Sequence, residues 1–181
     1  MKGVILKCMT DLVTEKFGKN TWAKILENSG VPTDRIFLPS EDVPDETALK
    51  IINSICSVSN LSLAQVADAF GEYWVNEFAC KIYYPFFRGI NSAGDFLLNM
   101  NNLHKITTEM LPNSHPPAFE YEWTGKKTLI MSYHSHRGLI DMMVGLVKGV
   151  GTYYNEPLTV TKLGPDRIKI VFQIPRSTPN K

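Results

Sequence analysis

The sequence predicts an α+β chain, with helices first and a four-stranded antiparallel sheet towards the C-terminal end. Three observations predict this. Apolar residues recur at helical spacing over roughly the first 110 residues. The period then drops to two, where Phe119, Tyr121 and Trp123 alternate with Glu120 and Glu122. After that, two pairs of strand-like runs are each joined by a glycine-containing turn, with one helical pattern between the pairs.

Each element has its own warrant. Ile5, Met9, Leu12 and Val13 share a helix face, and Gly18 is placed to stop that helix. Asn20 is placed to cap a short helix carrying Trp22, Ile25 and Leu26, closed by Gly30. Pro32 and Pro39 frame a connector. Pro44 suits the first turn of a helix carrying Leu49, Ile52 and Ile55. These helices, residues 1–60, are expected to form one subdomain packed on a second, residues 61–181, within a single domain.

Ser62 and Gln65 form a capping box, and Leu61 and Val66 stand where a hydrophobic staple would. The helix that follows carries Val66, Phe70, Trp74 and Phe78 at helical spacing, until Pro85 and Gly89 interrupt the chain. Ser92 and Asp95 signal the next start, before Phe96, Leu97, Met100, Leu103 and His104, and Leu111-Pro112 ends that helix. The first strand pair is 119–123 and the run beginning at Lys127, joined by Thr124-Gly125-Lys126. A helix with Leu139, Met142, Met143, Leu146, Val147 and Val150 follows. Strands near Leu158–Thr161 and Ile168–Ile174 flank Gly164-Pro165-Asp166, and the last few residues read as frayed.

Composition removes several function classes. With 44% hydrophobic residues the chain can bury a core, and a net charge of +1 gives no broad footprint for nucleic acid or an anionic membrane. No apolar run approaches the ~18 residues of a membrane span. The opening Met1-Lys2-Gly3, followed by Lys7 and Asp11, does not read as a signal peptide. Cys8, Cys56 and Cys80 are odd in number and widely spaced, which suits reduced thiols in a cytoplasmic protein.

The most informative stretch is Tyr133-His134-Ser135-His136-Arg137. It follows a run from Lys127 that reads as a strand, so Leu129, Met131, Tyr133, Ser135 and Arg137 are expected to share one face, and His134 and His136 the other. The first face runs from apolar side chains into two hydroxyls and a guanidinium. Such a row suits an apolar ligand with a carboxylate edge. Alone, it also reads as a solvated strand edge. His104 falls on the helix face of Leu97, Met100 and Leu103, so its ring is expected to point inward. Alone, it also reads as a core histidine bonded to a carbonyl. Together the two features suit haem, which needs an axial imidazole, apolar walls and donors for its propionates.

On these residues the chain resembles the H-NOX domains, haem nitric oxide/oxygen sensors related to the haem domain of soluble guanylate cyclase. The matching residues are Met1-Lys2-Gly3, Phe70-Gly71, Asn102-Leu103-His104, Pro116-Pro117, the Tyr133-x-Ser135-x-Arg137 triplet and Gly145-Leu146, in order along nearly the whole chain. The resemblance implies haem b between the two subdomains, with His104 as the proximal iron ligand and Tyr133, Ser135 and Arg137 on the propionates. It implies that Pro117 and Ile5 press on the porphyrin from opposite sides, in a pocket shared with Met9, Trp74, Met142 and Leu146. In dioxygen-binding members a distal tyrosine supplies a donor. The matching position here is Met142, which has none, and Met9 and Trp74 replace the polar partners of those members. Trp74 keeps its indole N–H. A nitric oxide sensor that excludes dioxygen is expected, with carbon monoxide also binding. Weakening of the iron–His104 bond would shift the helix of His104 and let the porphyrin relax against Pro117.

The likeness is to stand-alone bacterial members. These commonly act on a separate effector, a histidine kinase or an enzyme that makes or degrades cyclic di-GMP, so the chain itself is not expected to be an enzyme. With no cysteine after Cys80, the C-terminal zinc cluster of some relatives is not expected. Two other readings stay open from the residues. One is a haem carrier or binder of another planar anionic ligand. The other is a zinc hydrolase using His134 and His136, with His115 as a third ligand.

Overall fold

The computed structural model describes residues 1–109 and 111–173. The chain divides into two compact units. One comprises Met1–Val66 together with Met110–His115, and the other comprises Ala67–Glu109 and the chain from Pro116 onward. Among the described residues, no helix is long and apolar enough to cross a membrane.

The first unit holds α1 (Gly3–Phe17), α2 (Lys19–Asn28) and α3 (Asp45–Ser59). The free N–H groups at the start of α1 find partners in a loop, Gly3 donating to the Glu41 carbonyl at 2.9 Å and Val4 to that of Pro39 at 3.0 Å. Only glycine allows this approach, because a Cβ at position 3 would lie 2.1 Å from the Leu38 carbonyl oxygen. Gly18 ends α1 at φ 86° and also serves as the cap of α2, so Asn20 lies inside α2 instead of capping it. A single glycine in the left-handed region joins the two helices with no residue to spare. Pro44 sits at the cap position of α3, one residue before the first turn, where Asp45 and Glu46 favour the positive end of the helix dipole. Leu6, Ile25, Leu26 and Ile51 are fully buried. Ser54 of α3 donates to the Ile25 carbonyl of α2 at 3.0 Å.

The segment up to His115 is tied to this unit by side chains. Lys2 Nζ donates to the Pro112 carbonyl at 2.6 Å and pairs with Asp42 at 2.6 Å, and Asn113 donates to Asp42 at 3.3 Å. The hydrogen bond from Lys2 is the main reason that the Asp42 carboxyl titrates below its ordinary range.

The expected capping box is present: Gln65 N–H donates to Ser62 Oγ at 3.3 Å, and Ser62 N–H to Gln65 Oε1 at 2.9 Å. It opens α4 (Leu63–Tyr73), but the α register does not persist through Phe78. Trp74–Ala79 is π-helical, before a short α5 (Cys80–Ile82) and α6 (Tyr84–Phe87), which takes Pro85 in its first turn. The second expected cap also forms, Asp95 N–H donating to Ser92 Oγ at 3.0 Å at the start of α7 (Ala93–Leu98). The helix expected from Phe96 to His104 is broken at Asn99, and α8 (Met100–Thr108) carries His104.

The sheet is as expected in type, with β1 (Ala118–Trp123), β2 (Thr128–His134), β3 (Leu158–Lys162) and β4 (Arg167–Phe172) in the order β1-β2-β4-β3, every pair antiparallel. The expected strand end at Ile174 lies outside the described residues, as does the fraying expected at the C-terminal end. Leu129, Ile168 and Ile170 are fully buried, in one core with Phe96 and Leu97 of α7 and with Met143, Val147 and Val150 of α9 (Ile140–Tyr153). α9 also crosses α4 with backbone against backbone. A Cβ on Gly145 would lie 1.9 Å from the Ala67 carbonyl oxygen, and one on Gly71 would lie 2.0 Å from the carbonyl carbon of Gly145.

Candidate functional site

His104 is half-buried in α8, and its Nδ1 lies 3.1 Å from the Pro117 carbonyl oxygen. A carbonyl only accepts, so Nδ1 carries the proton. Burial, the larger influence, lowers the His104 pKa, and the bond to Pro117 opposes it in part. The ring is therefore neutral near pH 7, with the Nε2 lone pair left over. That is the tautomer a metal-ligating histidine needs, with its second nitrogen oriented by a carbonyl. The Phe119 ring lies beside it, centroids 5.5 Å apart, and the Tyr133 ring lies 6.2 Å beyond Phe119.

Tyr133 is buried on the same face of β2 as Leu129 and Met131, as alternation requires. The strand ends at His134, however, so the expected single row does not extend to Ser135 and Arg137. These two residues enter a turn, in which the Arg137 N–H donates to Ser135 Oγ at 3.3 Å. The side-chain hydroxyl competes for the backbone donor, and Gly138 at φ 63° completes the reversal into α9. Ser135 and Arg137 are both half-buried, next to Tyr133 in the chain but aimed by a loop instead of a pleat.

His134 is exposed, with Nε2 3.3 Å from Glu120, and His136 is exposed in the turn. His115 belongs to the other unit. Among the described residues no group of three or more His, Cys, Asp or Glu side chains could hold a metal ion. The turn takes His136 off the strand face that it was expected to share with His134.

Each of the other residues expected from sequence to line a pocket has its place within its own unit. On α1, Met9 is buried and Ile5 half-buried. In the second unit Trp74, half-buried, opens the π-helical segment and stacks between Phe70 (5.8 Å) and Phe78 (5.5 Å). Met142 is buried and Leu146 half-buried one turn apart on α9, and Pro117 is half-buried just before β1. Met142 brings a thioether, with no proton to donate. Within the second unit alone, a neutral Nε2, the apolar Met142 and Leu146, and hydroxyl and guanidinium donors are the kinds of group that haem requires, so these residues fit that group.

Two residues of this neighbourhood were not singled out from sequence. Asn101, one turn before His104, bonds twice to the backbone of Phe119, at 2.7 and 2.9 Å. Phe119 is the ring beside His104. The i,i+3 spacing of Asn101 and His104 signals a shared helix face but not the bond to Phe119.

Comparison with known proteins agrees. The haem-NO-binding family profile matches residues 2–162. The chain is 26% identical over 155 residues to the soluble guanylate cyclase gcy-32 of Caenorhabditis elegans, covering 83% of this chain and 22% of that protein. It is 23% identical to gcy-35 of the same organism over 167 residues, 90% of this chain and 24% of that one. The chain thus spans less than a quarter of these curated relatives. Among solved structures, an oxygen-binding H-NOX domain related to soluble guanylate cyclases superposes with a TM-score of 0.83 at 21% identity, over 100% of both chains. The I5F mutant of the T. tengcongensis H-NOX superposes at 0.82 and 22% identity, over 97% of this chain and 99% of that one.

Proposed function

This chain belongs to the haem-NO-binding, or H-NOX, family, and on that footing we propose that it is a nitric oxide sensor signalling to a separate effector protein. Haem b is the cofactor of these gas-sensing domains. When bound, it would supply an iron able to take a diatomic gas.

In this reading the whole chain serves as one sensor domain. His104 would hold the iron through Nε2, and its bond to the Pro117 carbonyl is the observation that supports the assignment. Tyr133, Ser135 and Arg137 hold the propionates, Arg137 contributing most because its bonds are charge-assisted. By the family resemblance, Pro117 and Ile5 would press on the macrocycle. Met9, Trp74, Met142 and Leu146 wall the pocket. Met142 offers bound gas no hydrogen bond, which disfavours dioxygen relative to nitric oxide. Release of His104 would free α8, and through the Pro117 carbonyl the start of β1, to shift. The effector is a histidine kinase or an enzyme of cyclic di-GMP turnover, in a bacterial cytoplasm.

One experiment tests these assignments together: the absorption spectrum of the reduced protein under argon, then with nitric oxide, then in air. A five-coordinate ferrous spectrum that changes with nitric oxide and forms no stable oxygenated species is the expected result. A stable oxygenated spectrum would remove the selectivity. His104→Gly should need added imidazole to restore the ferrous spectrum, and an unaltered spectrum without it would remove His104 from the iron. Ready transfer of the haem to a scavenging protein would favour a carrier.

A further inference from the structure

We propose that Asn101 is a positioning residue that clamps the His104 helix to the edge of the sheet. The proposal rests on His104 being the iron ligand, and it concerns what holds that ligand in place.

The clamp follows from the strand register. Phe119 of β1 stands opposite Tyr133 of β2, and the Tyr133 N–H bonds to the Asp166 carbonyl at 2.7 Å, away from β1. The Phe119 N–H and C=O in turn face away from β2, on the outer edge of an edge strand. Left alone, they would be open sheet-edge groups. The Asn101 side chain takes both. Its Oδ1 accepts from the Phe119 N–H at 2.9 Å, and its Nδ2 donates to the Phe119 carbonyl at 2.7 Å. A primary amide holds an acceptor and donors in one plane, so it reproduces the two bonds that a further strand would make. Aspartate and alanine lack that pairing, and serine carries both functions on one atom only.

Position gives the clamp its function. Asn101 and His104 are three residues apart on one face of α8, and Phe119 and Pro117 are two residues apart on the receiving chain. The helix is therefore gripped at two points, by the Asn101 amide and by the His104 ring. With both in place, α8 can neither slide along β1 nor roll about its own axis. With the His104 contact alone, it can swing about that point. Asn101 thus fixes the direction from which Nε2 is presented.

The test uses Asn101→Ala, with Asn102→Ala as its control. Asn102 lies on the same helix and is also exposed, but its amide bonds to Asn99. Two readouts are taken on the ferrous haem-loaded protein. Hydrogen exchange at the Phe119 amide should quicken on the order of tenfold in Asn101→Ala and stay unchanged in the control. The iron–histidine stretching band in the resonance Raman spectrum should shift and broaden in Asn101→Ala alone. Unchanged exchange at Phe119 would show that the clamp is not made in solution and would overturn the proposal. Faster exchange with an unmoved band would overturn it too, since the clamp would then position nothing at the iron. An equal band shift in the control would assign the effect to helix propensity and overturn it. If His104→Gly leaves the ferrous spectrum unaltered while Phe119 exchange still quickens in Asn101→Ala, the assignment of His104 has failed, the clamp exists, and its positioning role falls with the ligand.

Discussion

The imidazole of His104 and the carbonyl of Pro117 meet at 3.1 Å across thirteen positions of chain. This one bond sets which ring nitrogen is free and ties the orientation of the ring to the first turn of chain before β1. Neither residue can move alone. A displacement of α8 that carried the ring away would pull on Pro117 or lose the bond, and either outcome changes the surface around the start of the sheet.

Burial of the same ring sets a pH dependence, which the bond to Pro117 opposes in part. The folded His104 pKa lies below the ordinary 6.5, chiefly because the ring is buried. Between the lowered folded value and 6.5 the unfolded chain binds a proton that the folded chain does not, so stability must fall as pH drops through that window. The urea midpoint should decline from about pH 6.5 downward, and His104→Gln should flatten the decline. A midpoint with the same slope in the variant would show that other groups carry the effect.

Arg137→Ala should weaken haem retention most among the three propionate residues. Loss of a charge-assisted bond at about 1.5–3 kcal/mol corresponds to roughly a ten- to hundredfold faster haem off-rate. Tyr133→Phe and Ser135→Ala, each removing one neutral hydroxyl, should cost less than tenfold by the same scale, about 1 kcal/mol each. Transfer of haem to an excess of apomyoglobin measures all three, and equal rates in wild type and Arg137→Ala would end the assignment.

Two glycine substitutions should part company. Gly145→Ala places a methyl 1.9 Å from the Ala67 carbonyl, a contact relieved only by moving α9 off α4. It should cost about 3 kcal/mol or more in chemical denaturation. At Gly94, early in α7, the nearest atom to an added methyl is Phe172 Cε1 at 3.5 Å, an ordinary contact. Gly94→Ala should be neutral or stabilising by up to about 1 kcal/mol.

The Cys8 thiol should be inert in the native protein. Burial, assisted by nearby Asp11, pushes its pKa to about 12, so at pH 8 about one molecule in ten thousand carries the thiolate. Cys56 and Cys80 are half-buried and also raised. Timed labelling with iodoacetamide and mass spectrometry should modify Cys8 last, on the timescale of unfolding.

What was legible in the sequence was what depends on neighbours in the chain. Ser62 with Gln65 and Ser92 with Asp95 announce helix starts because donor and acceptor lie three residues apart, and both caps form. Strand alternation placed Tyr133 correctly. It misplaced Ser135 and Arg137, since a serine hydroxyl that captures the N–H two residues on ends the ladder without any change of hydrophobic pattern. The π-helical turn was hidden because Phe70, Trp74 and Phe78, four apart, satisfy α spacing while the hydrogen bonds shift by one. The break at Asn99 gave no glycine or proline to mark it. The Asn101 clamp was out of reach for a different reason. Its partner is a peptide group eighteen residues away, and peptide groups have no sequence.

The segment held by Lys2 and Asp42 bears on how the protein can be taken apart. The chain passes from the first unit to the second after Val66, returns for 110–115, and leaves again at Pro116. Neither unit is therefore a continuous stretch of polypeptide. A gene fragment ending at Val66 would lack the Pro112 carbonyl and the Asn113 amide that meet Lys2 and Asp42. A fragment starting at Ala67 would carry those groups with nothing to receive them. Of two halves made by cutting at that junction, the N-terminal one should regain the bonds of its own unit at Lys2 and Asp42 only when the other is added.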